Sequence, residues 1–92
     1  MARYLIEVSH DNKPIACVLV AEAFLRSGSH FLTRADWGCK DGEHKAWMIV
    51  DVSSREEAQN IVPSEFRKQS RVIALSPFTL EQVGEIRRHH SI

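Results

Sequence analysis

The chain begins with a short alternation. Residues 3–9, RYLIEVS, place apolar side chains at every second position and are rich in strand formers, so they read as a first strand. Asp11 or Asn12 then offers a helix cap, and Pro14 falls near the first helical position, where its missing N–H costs nothing. A helical period follows to about Ser27, with Gly28 as its stop. The deepest stripe of this helix is Cys17, Val20, Ala21 and Phe24, with Glu22 and Arg26 facing outward. Ile15, Val18 and Leu19 are left on the flank or the outer face, more apolar surface than one sheet covers.

Residues 29–37 and 43–52 read as two strands of a hairpin, with Gly38 and Gly42 bracketing the turn. Ser53 with Glu56 and Ser54 with Glu57 form two overlapping capping boxes ahead of a short helix. That helix buries Ala58, Ile61 and Val62, and Pro63 ends it. A polar connector from Ser64 to Ser70, pinned by Phe66, leads to a fourth strand over 71–75. Pro77 stops that strand, Thr79 and Gln82 form another capping box, and a last helix aligns Leu80, Val83 and Ile86. The order is β-α-β-β-α-β plus a carboxy-terminal helix, which is the ferredoxin-like α+β pattern with an antiparallel sheet. The chain, residues 1–92, is expected to be one domain.

The strands are not cleanly polar on either face. Tyr4, Ile6 and Val8 alternate with Leu5, and Trp47 and Ile49 alternate with Ala46, Met48 and Val50. A sheet with one wet face alternates more sharply. The second face is therefore expected to pack on another copy of the chain, making a homodimer.

Composition narrows the function classes. Lys plus Arg and Asp plus Glu both total 12, so the formal net charge is zero and no basic field for nucleic acid exists. The cluster Arg87-Arg88-His89-His90 reads as a solvated helix end. The apolar run around residues 15–25 is broken by Glu22 and too short for a bilayer, and the amino terminus lacks a signal-peptide pattern. A cytoplasmic location is expected. Cys17, in the helix, is expected to be buried and Cys39, in the turn, accessible, an arrangement that argues against a disulfide between them.

The segment GSHFLTRADWG, the strand HKAWMIVDV, the helix SSREEAQNIV and the closing strand RVIAL resemble the dimeric α/β-barrel superfamily. Within it, the YCII-related proteins and the muconolactone isomerases are the most similar groups, over roughly residues 3–76. The resemblance implies a dimeric α/β barrel and a small organic ligand. The YCII-related family is associated with a His–Asp pair whose histidine comes from the first helix region. Here the helix from Pro14 to Ser27 contains no histidine.

Candidate chemistry concentrates between His30 and Asp51. With Trp37 opposite Glu43, the hairpin register sets Asp36 directly across from His44, within reach of a carboxylate–imidazole bond. Such a bond fixes the tautomer and raises the basicity of a general base. His44 is then the base, Asp36 its orienting partner and Arg34 an anion holder, with Tyr4 and His30 as ligand-binding residues. The absence of any cofactor motif favours an isomerase-like or lyase-like proton transfer without a cofactor. Whether the chain is an enzyme, and on what substrate, is left open by the residues.

Two other readings stand beside this one. Cys39, His44 and Asp36, with Asp41 adjacent, form an alternative set of zinc or nickel ligands, which His10 and His30 can join only if the fold brings strand ends together. The third reading is a dimerisation or regulatory module whose polar hairpin is simply surface. In the hairpin register above, Trp37, Trp47 and Phe31 share one face and suit packing better than base stacking.

Overall fold

The computed structural model describes residues 1–90. Four strands, β1 (Ala2–Ser9), β2 (Asp36–Trp37), β3 (Lys45–Val52) and β4 (Ser70–Leu75), form one antiparallel sheet in the order β2-β3-β1-β4. Helices α1 (Pro14–Arg26) and α2 (Arg55–Ile61) connect them, and α3 (Leu80–His90) follows β4. The chain is thus α+β, with an arrangement compatible with the ferredoxin-like pattern expected from the sequence.

Strand parity sorts the core. Tyr4, Ile6 and Val8 of β1 and Ala46, Met48, Val50 and Val52 of β3 lie on the helix-covered face and are buried. Val20 and Phe24 of α1 and Ala58 of α2 close over them. Phe24 is fully buried and tilts against Trp37, with ring centroids 5.3 Å apart. Burying such a ring contributes roughly 3 kcal/mol. Cys17 and Ala21 are only half-buried, so the deep stripe of α1 is narrower than its sequence suggests, and Ile15, Val18 and Leu19 are exposed.

The local signals act with small differences. Lys13, not Asp11 or Asn12, occupies the cap position of α1, and its side chain makes no capping bond. Pro14 alone sets the first turn there. At α2, Ser54 accepts from the Glu57 backbone N–H, while the Glu57 carboxylate turns back to the amide and hydroxyl of Ser53. Thr79 and Gln82 form the full reciprocal box, with bonds of 2.9 and 3.1 Å. After Pro63, Arg67 folds back and donates to the carbonyls of Val62 and Asn60, satisfying the open end of α2.

The expected strand over 29–37 is mostly absent: only Asp36 and Trp37 pair with β3. The reason is local. The Ser29 hydroxyl accepts from the Leu32 amide, and Thr33 returns both its amide and hydroxyl to the Ser29 carbonyl. These bonds close a tight turn that continues as a 3-10 helix over Leu32–Arg34, in competition with the sheet.

Candidate metal centre

The decisive geometry lies at one end of the sheet. The β1–β3 ladder ends at the pair Ser9 and Lys45, and the His10 amide continues it by donating to the His44 carbonyl at 3.0 Å. By the same parity as Val8 and Ala46, both histidines fall on the helix-covered side. Their rings meet edge to face, with centroids 5.8 Å apart.

The turn between β2 and β3 supplies the third group. It contains a 3-10 helix over Cys39–Asp41, closed by Gly42 at φ 83°, a left-handed conformation that suits glycine. Gly38 anchors its start, because a side chain there would meet the Glu43 carbonyl at 2.7 Å and the Trp47 ring at 2.8 Å. The turn carries Cys39 back over the sheet end, where its Sγ lies 3.2 Å from His10 Nε2. One ligand atom from each of His10, Cys39 and His44 falls within 4.8 Å of the other two. A tetrahedral ion with bonds of about 2.0–2.3 Å sets its ligands roughly 3.3–3.8 Å apart, so these donors would draw in slightly on binding one.

The electrostatics favour the neutral forms of His10 and Cys39, so an ion binding here would have to displace the Cys39 proton. Burial holds the His10 imidazole below its ordinary pKa and nearby His44 adds to this, with Asp11 opposing both. Burial likewise pushes the Cys39 thiol up, reinforced by the Cys17 thiol beside it. His10 Nδ1 and His44 Nδ1 are both buried without a hydrogen-bond partner. Buried imidazole nitrogens normally find one. Trp37, 6.1 Å from the His10 ring, forms an apolar wall, and a cavity of about 400 Å³ lined by Ser9, His10, Asp11, Leu19, Phe66 and Gln69 opens on the other side.

The sequence-derived residues are distributed otherwise than expected. In the observed register Trp37 pairs with Ala46 instead of Glu43, and Asp36 pairs with Trp47. This odd shift sends Asp36 to the opposite sheet face from His44, so the expected Asp36–His44 bond is not formed. The physical cause is the 3-10 turn, which draws extra residues into the loop; the Gly38 amide bonds the Lys45 carbonyl and closes it. Asp36 likewise stands apart from the Cys39–His44 group, and His10 takes its place. Trp37 and Trp47 lie on opposite faces for the same reason.

Arg34 and His30 are exposed on the far side of the β2 connection, where they line a groove with Met48 and Asp51. His30 stacks on Phe31, with centroids 4.0 Å apart. Tyr4 belongs to the core, and Arg55 lies over its ring at 5.8 Å. None of the three joins His44. Cys17 and Cys39, expected apart, line one cavity. His10 joins the site although only a weak sequence signal marks it: its place one position after a strand whose partner strand begins one position after His44. Among the described residues no helix is long and apolar enough to cross a membrane. Comparison with protein-family models, with curated proteins and with solved structures finds no match.

Proposed function

We propose that this protein binds a divalent transition-metal ion, zinc or nickel, through His10, Cys39 and His44. The observation that carries the reading is the convergence of three donors from three separate chain segments within 4.8 Å. A thiolate with two imidazoles is a borderline-soft set that suits zinc and nickel and disfavours magnesium or calcium. Three protein ligands leave a fourth position, and the adjoining cavity of about 400 Å³ gives a small organic ligand room to reach it. Held by His10, Cys39 and His44, such an ion would supply Lewis acidity to a ligand in the cavity. Asp11, at the cavity wall, supplies a nearby carboxylate.

Assembly is part of the proposal. The uncovered sheet face carries Leu5, Trp47, Ile49 and Ile73, rimmed by Arg3, Glu7, Asp51 and Arg71. An apolar centre with charges of both signs at its edge suits a self-complementary contact, so we assign this face to a second copy, in the manner of the dimeric α/β barrels that the sequence resembles.

Purified protein carrying no affinity tag should bind one zinc or nickel ion per chain, and cobalt in its place should give a tetrahedral spectrum with a thiolate charge-transfer band. His44→Ala and Cys39→Ser should each weaken binding at least about ten-fold. Absence of stoichiometric binding by any of the three metals would overturn the proposal. The second reading, a metal-free ligand site in the same cavity, draws on His10 as its one ring-nitrogen donor, and it predicts ligand binding that survives chelation.

A further inference from the structure

Strand β3 has an open edge that the metal site does not use. Strand β2 covers it only where Asp36 and Trp37 pair with Trp47 and Ala46. Beyond Trp47, β3 continues to Val52 with β1 on one side and, among the described residues, no strand on the other. Backbone alternation identifies the groups that face out. The His44 carbonyl accepts from His10 on the β1 side, and the Lys45 carbonyl accepts from Gly38 on the β2 side. Even-numbered positions of β3 therefore bond to β1, while Ile49 and Asp51 turn their N–H and C=O groups outward. Among the described residues no backbone partner meets those four groups. A cavity of about 450 Å³ lies beside them, lined by Phe31, Arg34, Met48, Ile49, Val50 and Asp51 among others. Arg34 is exposed and, among the described residues, belongs to no ion pair.

We propose that this edge binds the carboxy-terminal segment of a partner polypeptide as an added antiparallel strand, with Arg34 holding its terminal carboxylate. The proposal is independent of the metal reading. Outward-facing strand groups are a template for a further strand. A strand added here lies in line with β2, so it must end or turn aside where it meets Asp36. Arg34, two residues before Asp36, stands at that blocked end. A chain antiparallel to β3 reaches this place with its carboxy terminus. A parallel chain would bring its amino terminus against a guanidinium of like charge. Charge thus selects the direction of the guest and the chain end it presents.

Period-two alternation sets the remaining preferences. The guest residue across from Val50 points to the helix-covered face, where Phe31 and Met48 form an apolar wall. The residue across from Asp51 points to the open face, where a lysine makes a cross-strand charge pair. A second copy of β3 suits the edge poorly. Self-pairing centred on Val50 would set the incoming Ser53 across from Trp47, a place that Asp36 already holds.

The test titrates the full chain into a fluorescein-labelled peptide ending Thr-Lys-Val-Val with a free carboxylate, followed by anisotropy. Saturable binding is expected, and amidating the terminus should weaken it at least about ten-fold, as loss of a charge-assisted bond does. Arg34→Gln should cause the same loss for the free acid and leave the amide within about two-fold. By hydrogen exchange, the Ile49 and Asp51 amides should be fast in the free chain and slow with peptide bound. The Met48 and Val50 amides, bonded to β1, should be slow in both. Absence of saturable binding overturns the proposal, and so does equal binding of acid and amide. Slow exchange at Ile49 and Asp51 without peptide also overturns it, because a second copy or the segment 29–35 would then already fill the edge.

Discussion

The His10 amide donates to the His44 carbonyl at 3.0 Å, extending the β1–β3 ladder by one rung beyond its last strand pair and placing two imidazoles on one side of the sheet end. Everything proposed for the site depends on this relationship. A backbone pairing fixes the side chains without a flexible linker between them, which is the kind of support a ligand set needs.

The roles of Asp36 and His10 can be separated by substitution. Asp36 is exposed and faces away from His44, so Asp36→Asn should leave zinc affinity within about two-fold. His10→Ala removes the donor 3.2 Å from Cys39 Sγ and should weaken binding by at least about ten-fold. Competition titration against a chromophoric chelator checks both. A large loss in Asp36→Asn would show that the carboxylate reaches the ion after all.

Gly38→Ala should damage the site from a distance. The added methyl meets the Glu43 backbone and the Trp47 ring below 3.0 Å, so the turn must move. Overpacking of this kind costs about 1–3 kcal/mol. Urea denaturation should show that loss, and metal affinity should fall with it because Cys39 follows Gly38 directly.

Glu57 predicts an acid-sensitive helix start. Bonds from the Ser53 hydroxyl and amide hold its carboxyl below the usual glutamate pKa. A depressed folded-state pKa means the unfolded chain binds more protons in that window. The contribution is therefore present above the ordinary value near 4.3 and is lost as pH falls through the lower folded value. Glu57→Gln should flatten the acid limb of a stability-against-pH curve, and Ser53→Ala should flatten part of it. An unchanged limb in Glu57→Gln would place the sensitivity elsewhere.

The open sheet face predicts association. Ile49, 62% exposed at the centre of that face, should be essential to a dimer, and Ile49→Glu should give monomers at micromolar concentration by sedimentation velocity. Wild-type protein that sediments as a 10.5 kDa monomer at the same concentration would remove this face from consideration as an interface.

Most elements were legible because their signals are local. Period-2 and period-3.6 patterning, Pro14, Gly28 and Pro63, and the Thr79–Gln82 box all act within a few residues, and the structure places strands and helices accordingly. The second strand failed the same test. Its alternation over 29–35 suggests a strand, but Ser29 and Thr33 offer the backbone local bonds that hold it in a turn. Loop length at the hairpin was the other ambiguity. Gly38 and Gly42 mark a turn, yet they do not say how many residues it absorbs, and an odd difference in register exchanges every side chain between faces.

By itself, the sequence determined the order of elements, the core positions of β1 and β3, and the reactive residue types available. Tertiary structure decided which of those residues meet. Cys39 and His44 are near in sequence, but His10 and Cys17 join Cys39 only through the antiparallel pairing of β1 with β3 and the placement of α1 beside the turn. Such contacts span long stretches of chain and depend on register, and register is set by the closure of a turn whose geometry composition alone does not encode.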